Sequence, residues 1–203
     1  MKGNENMRII AGTARRRVLE TLPGDDVTRP TAERVKEGLF SAIQFELDGR
    51  RVLDLFSGSG QLALEALSRG AESAVMIDDN VGAVEIIKNN AKNTGLMKQC
   101  RISRMDYSEY LKGAAAKGEK FDLVFLDPPY AKDVKDEVLK KVSRAGILAP
   151  GAIVVCESDV DRFVEDEDVY GLKFRRKYRY GRVYITMLEM PETTETSVSE
   201  EEV

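Results

Sequence analysis

The chain has 203 residues, 42% of them hydrophobic and 33% charged, with a formal net charge of −4, the size and balance of one large globular domain or two small ones. It contains no histidine, which excludes His-based triads, two-His metal sites and imidazole switches and leaves carboxylates, hydroxyls, amines and the backbone to carry any chemistry. Its two cysteines, Cys100 and Cys156, are too few for a four-ligand zinc site and read as buried free thiols; with no apolar run near the roughly 18 residues of a membrane span, a cytoplasmic protein with neither membrane nor metal is expected.

Residues 1–20 carry Lys2, Arg8, Arg15, Arg16 and Arg17 against Glu5 and Glu20, a basic opening stretch. Val35, Leu39, Ile43 and Leu47 then recur every four residues behind Thr31, an N-cap following Pro30. They predict a helix that leads into the first strand. From about Arg51, apolar runs at 52–56, 74–77, 121–126 and 153–156, with a weaker one at 100–105, alternate with helical stripes. The runs are nearly continuous, as parallel strands covered on both faces require. The stripes are Leu62, Ala66 and Leu67, closed by Gly70; Val81, Val84, Ile87 and Ala91; and Val134, Val138 and Val142. Such alternation implies right-handed crossovers and an open α/β sheet.

Residues 171–178 and 183–189 read as a hairpin, turning at Tyr180-Gly181, that finishes the sheet. Six basic residues between Lys173 and Arg182 interleave there with Phe174, Tyr178 and Tyr180. That pattern fits either an RNA-facing surface or an edge strand with a buried aromatic face. The last 13 residues hold five glutamates and no basic residue and read as a disordered acidic tail. Three regions follow: a basic arm and leading helix at 1–50, an α/β domain at 51–190, and the tail at 191–203.

Asp54-Leu55-Phe56-Ser57-Gly58-Ser59-Gly60 ends the first strand and opens a helix, and Asp78 ends the second strand. Glycines let the chain turn sharply and let a ligand lie against the main chain; an acid in that place accepts bonds from ribose hydroxyls. With Ala63 the loop also fits the dinucleotide fingerprint, so on its own it admits a nicotinamide cofactor or another adenosine-containing one. Asp54 tilts the choice, because a carboxylate there repels a pyrophosphate but suits a ligand bearing an ammonium and a sulfonium. S-adenosylmethionine is such a ligand. Asp127-Pro128-Pro129-Tyr130 ends a later strand at the carboxyl edge, where open α/β sheets bind ligands. Two prolines make a rigid corner. There the Asp127 carboxylate and the Pro128 carbonyl can accept the two N–H bonds of an exocyclic amine, and Tyr130 can stack on the base that carries it.

These motifs resemble those of S-adenosylmethionine-dependent amino-methyltransferases. Arg8-Ile9-Ile10-Ala11-Gly12, Thr28-Arg29-Pro30-Thr31-x-Glu33-Arg34-Val35 and the segment from Leu64 to Ala71 narrow the match. Together they resemble the RsmD-type family of ribosomal RNA guanine-N2 methyltransferases over roughly residues 7 to 190. Departures are Ala63 for Gly, Asp78 for Glu and Arg15-Arg16-Arg17 for Arg-Gly-Arg; none removes a needed functional group. The resemblance implies a Rossmann-like class I fold, with a mostly parallel seven-stranded sheet, helices on both faces and a C-terminal antiparallel hairpin. It implies a catalytic group of Asp127, Pro128, Pro129 and Tyr130. Asp54, Phe56, Gly58, Gly60, Asp78, Asp106 and Tyr107 would bind the cofactor. Arg8, Arg15, Arg16, Arg17, Arg29 and Arg34 are candidate contacts to ribosomal RNA, in a small ribosomal subunit or its assembly intermediate. Three rival readings are a DNA adenine or cytosine amino-methyltransferase, a nicotinamide-dependent oxidoreductase and a non-catalytic RNA-binding protein. The first needs a target-recognition domain for which there is little room; the second gives Asp127-Pro128-Pro129-Tyr130 no role, and the third gives no reason for Asp54, Asp78 and Asp127 to line one sheet edge.

Overall fold

A computed structural model describes residues 7–22, 30–128, 132–165 and 167–192 of the chain. After helix α1 (Pro30–Ala42), strand and helix alternate as β1 (Arg51–Asp54), α2 (Gln61–Ser68), β2 (Ser73–Asp78), α3 (Val81–Asn93), β3 (Cys100–Arg104), α4 (Tyr107–Ala116), β4 (Phe121–Leu126), α5 (Lys132–Arg144) and β5 (Leu148–Ser158). Three strands follow: β6 (Asp168–Val169), β7 (Leu172–Tyr180) and β8 (Val183–Glu189). All pair in one sheet of order β3-β2-β1-β4-β5-β8-β7-β6. The first five strands are parallel and the last three antiparallel.

Alternate strand residues feed two cores. Val52, Met76, Phe125 and Val155 pack under α1, α2 and α3, whereas Leu53, Ile77, Val124 and Val154 pack under α4 and α5. This two-sided burial is why the runs lack alternation in sequence. Order reverses between β1 and β4, and a crevice opens at that switch point, outside the carboxyl ends of the strands.

Four expectations need correction. The sheet has eight strands rather than seven, because a tight turn at Tyr170-Gly171, both with positive φ, folds the two-residue β6 back on β7. The later hairpin turns at Gly181-Arg182, one residue beyond the expected place, since Tyr180 still pairs with Val183. Helix α1 begins at Pro30, so Thr31 lies inside the first turn; proline suits the first helical position because its missing N–H would have no helical partner there. Cys100 and Cys156 are free but only partly buried. The acidic tail from residue 193 lies outside the described residues. Among the described residues no helix is long and apolar enough to cross a membrane.

The N-terminal segment is a docked antiparallel hairpin. Leu19 N–H donates to the Met7 carbonyl at 2.8 Å and Ile9 N–H to the Arg17 carbonyl at 2.9 Å, while Ile9 is fully buried. What docks it is Glu65 of α2, whose side chain has no exposure. Its carboxylate accepts the Ile10 N–H at 2.7 Å, the Ala11 N–H at 3.0 Å and the Arg69 Nε–H at 2.7 Å. Lys36 of α1 lies 3.9 Å away and donates to the Arg8 carbonyl at 2.7 Å. Burial holds the Lys36 ammonium below its ordinary value, against the pull of Glu65. One turn on, Ser68 donates to the Ala11 carbonyl at 2.6 Å and accepts the Ala14 N–H at 3.0 Å. Gly12 has φ +83°, and a Cβ there would sit 1.7 Å from the Ser68 carbonyl oxygen, so only glycine permits this approach.

Glu65→Ala would leave two amides and Arg69 without their acceptor, and Lys36 without its counter-charge, in a dry site. It is expected to lower the unfolding free energy by about 3–5 kcal/mol, read from the urea midpoint. Glu65→Gln, which keeps shape and one acceptor, should fall between that variant and the parent.

Candidate active site

Beyond Asp54 the chain turns through residues 55–60 into α2. Gly58 and Gly60 have φ of +53° and +76°, a region that glycine enters without strain, but their surroundings differ. A Cβ on Gly58 would meet nothing within 4 Å, because it would point into the open crevice. On Gly60 it would press at 3.2 Å on Met76 Sδ and 3.3 Å on Ile87 Cγ2, inside the core. Gly58 thus leaves room for a ligand, and Gly60 for helix packing.

Asp78 braces this loop. Its Oδ2 accepts the Gly58 N–H at 2.9 Å and its Oδ1 the Asn80 N–H at 2.9 Å. Asn80 then caps α3, accepting the Gly82 N–H at 2.8 Å. Asp106 likewise caps α4 through the Ser108 N–H at 2.8 Å. Tyr107 packs its ring 5.3 Å from that of Phe56.

The crevice is a cleft of about 400 Å³. Phe56, Gly58, Asp78, Asp106, Tyr107 and Asp127 line it together, so residues from four strand ends meet there, while Asp54 and Gly60 do not line it. Leu22, Leu55, Asp79, Asn80 and Met105 also line it, and sequence reasoning missed them. Asn80 carried a readable signal, a capping residue between the strand-ending Asp78 and the Val81 stripe. Leu22 carried none, because it reaches the cleft only through the docking of the N-terminal segment.

Asp54 lies beneath the wall, 3% exposed. Burial pushes its carboxyl up to about 7, and the charges of Asp127 and Asp78 push the same way. Bonds from the Phe56 backbone and Ser57 oppose the rise. Asp127 shows surface to the cleft, yet the protein around it displaces enough water to raise its carboxyl, against the positive charge of Lys135. Pro128 is buried; Pro129 and Tyr130 lie outside the described residues.

The arginines are not gathered in the same way. Arg8 pairs with Glu33 at 2.9 Å, and Arg34 is exposed on α1. Arg15, Arg16 and Arg17 are exposed at the turn of the N-terminal hairpin, where Arg16 has φ +70°. That turn lies beside Ser68, about 12 Å along α2 from the glycine loop at 1.5 Å per residue. Arg29 lies outside the described residues.

A parallel sheet that reverses order above a glycine turn, with ribose-type acids on the next two strands and Asp127 on the fourth, is the architecture of Rossmann-like class I methyltransferases. A family model described as "Conserved hypothetical protein 95" matches residues 7–189. The chain is 36% identical over 160 residues to ribosomal RNA small subunit methyltransferase D of Escherichia coli (strain K12), covering 78% of each. It is 39% identical over 176 residues to YlbH of Bacillus subtilis (strain 168), covering 86% of this chain and 94% of that one. The solved structure of yhhF from Escherichia coli superposes with a TM-score of 0.77 at 30% identity, covering 92% of this chain and 98% of that one. The chain belongs to the RsmD-type family of ribosomal RNA methyltransferases.

Asp54 makes stability depend on pH. Its carboxyl stands at 3.8 in the unfolded chain and about 7 in the fold, so between those values the native state keeps a proton that the unfolded state has released. Stability therefore falls as pH rises through this window, and the full cost of the ionised acid is present above it. Urea midpoints measured from about pH 4 to 8 should show this fall, and Asp54→Asn should flatten it. Part of the slope should persist, because the Asp127 and Glu157 carboxyls are raised as well.

Proposed function

We propose that this protein transfers a methyl group from S-adenosylmethionine to the exocyclic N2 amino group of a guanine in small-subunit (16S) ribosomal RNA, in the cytoplasm, on the small subunit or an assembly intermediate. The observation that carries this reading is the convergence of Asp127 with Gly58, Asp78 and Asp106 on one cleft. It supports reading Asp127 as the amine acceptor beside a site for the adenosine end of the cofactor. The names of its relatives support ribosomal RNA over DNA as the substrate.

The residues present fit the cofactor. The open space over Gly58 is a cradle that any side chain would fill. Two backbone amides fix the Asp78 carboxylate, and its remaining lone pairs can receive ribose hydroxyls. Asp106 and Tyr107, which line the same cleft, would meet the adenine end. Asp54 favours an ammonium and a sulfonium and disfavours a pyrophosphate, which separates this site from that of a nicotinamide enzyme. When bound, S-adenosylmethionine supplies an activated methyl group on a sulfonium.

The protein's own contribution is orientation and charge. A guanine amino group has its lone pair drawn into the ring and is a weak nucleophile. Asp127 and the Pro128 carbonyl accept its N–H bonds, aim the nitrogen and offset the positive charge that grows on it. The nitrogen sheds one proton as it gains the methyl, and that proton passes to water. Reaching the amine requires a base in a loop or flipped from its stack. Arg15, Arg16 and Arg17 offer phosphate contacts away from the cleft, and Arg8, Arg29 and Arg34 are further candidate contacts to the RNA. Arg179 and Arg182 stand at the sheet edge that also carries Asp127, since Arg179 pairs with Tyr184 and Tyr184 with Ser158.

Labelled S-adenosylmethionine and undermethylated small subunits test the function directly. N2-methylguanosine in the digested RNA is the expected product by mass spectrometry; a different methylated nucleoside, or none, would refute the proposal. Asp127→Ala should slow methyl transfer by at least about a hundredfold, the loss typical of one preorganised electrostatic partner, with the cofactor dissociation constant little changed. Replacing Arg15, Arg16 and Arg17 together with Ala should flatten the salt dependence of RNA binding by up to about three units of slope. Cofactor affinity should stay as it is, and an unaltered slope would return these arginines to solvent.

A further inference from the structure

Glu157, near the end of β5, is a carboxylate that none of the chemistry above uses. Leu126 pairs with Cys156 across the parallel β4–β5 ladder, so the next residue on each strand brings Asp127 alongside Glu157. Neighbouring strands run about 4.8 Å apart. The two side chains feel each other: the charge of Asp127 helps to raise the Glu157 carboxyl to about 7, with burial as the larger cause and Lys135 opposing. Glu157 is only half-buried. Lys135 Nζ bonds its backbone carbonyl at 3.3 Å rather than its side chain, and among the described residues no donor is bonded to its carboxylate. A desolvated carboxylate without a donor is costly, and an N–H from a ligand relieves that cost.

Resting on the function proposed above, we propose that Glu157 reads the target base by accepting the N1–H of guanine while Asp127 and the Pro128 carbonyl accept its 2-amino group. The Watson–Crick edge of guanine offers donors at both N1 and N2, side by side. Adenine and cytosine offer an amino group beside a ring nitrogen that is an acceptor, and that lone pair would face the Glu157 carboxylate. Two adjacent carboxylates therefore select a base with two adjacent donors, and one alone would select any exocyclic amine. The selectivity is a matter of unpaired polar atoms: a site built around a bond to an N–H strongly rejects a ligand that lacks it.

2-Aminopurine isolates the contact, because it keeps the 2-amino group but has a lone pair at N1. Small subunits are reconstituted with guanine or 2-aminopurine at the nucleotide that the parent enzyme methylates. The parent should methylate the analogue at least about a hundredfold more slowly than guanine. In Glu157→Ala the guanine rate should drop about tenfold to a hundredfold and the ratio between the two bases should collapse. Glu157→Gln can turn either an acceptor or a donor towards N1, so it should gain rate on the analogue. It serves as the test even where the alanine variant folds poorly. A base ratio unchanged in both variants, with the parent active on guanine, would overturn the role of Glu157 and leave the methyl-transfer reading standing. A parent enzyme that leaves guanine unmethylated would overturn both.

Discussion

A single buried carboxylate holds the upper layer of this protein together. Glu65 gathers two backbone amides of the N-terminal hairpin, Arg69 of its own helix and Lys36 of α1. Three segments far apart in sequence thereby share one charge. An uncompensated carboxylate in such a place would be intolerable, so each donor is needed for the others to stay. Ser68 and Gly12 extend the same contact by hydrogen bonding and by close approach. The segment from Arg8 to Gly12 and the segment from Leu64 to Ala71 are thus two halves of one interface.

The cleft presents the opposite problem, acids held near one another with few cations. Asp54, Asp78 and Asp127 crowd one sheet edge, and their mutual repulsion adds to burial in raising Asp54. Asp78 takes two backbone amides. A cationic ligand would supply what the others lack. In a chain without histidine, acidity tuned by burial is the means left for placing groups that titrate near neutrality.

Much of this was legible beforehand, for physical reasons. Continuous apolar runs separated by helical stripes can bury themselves in few ways, so the alternation of β1 to β5 with helices in an open α/β sheet followed from pattern. The glycine loop, Asp78 and Asp127 were legible because they are local features, a turn and two strand ends. Strand β6 was not, because two residues make no pattern and only the turn at Tyr170-Gly171 places them. Nor was the role of Glu65, which looks in sequence like any helical acid; its burial is decided by partners some 55 residues away. Leu22 was hidden for the same reason. The aromatic residues of β7 had two readings, and Tyr178 and Tyr180 pack against the core on the α1 side, while Arg176 and Arg179 remain exposed.

Asn90 gives the cleft a longer reach than its size implies. Fully buried on α3, it donates to the carbonyls of Ser59 in the glycine loop and of Glu20 in the N-terminal segment, and it accepts the Glu20 N–H. Two residues past Glu20, Leu22 forms part of the cleft wall. Opening the N-terminal segment would therefore dismantle one wall and release the loop below it in the same event. Occupancy of the cleft and closure of the N-terminal segment are thereby linked: whatever binds there tightens the beginning of the polypeptide, by an amount that grows with the logarithm of its concentration over its dissociation constant.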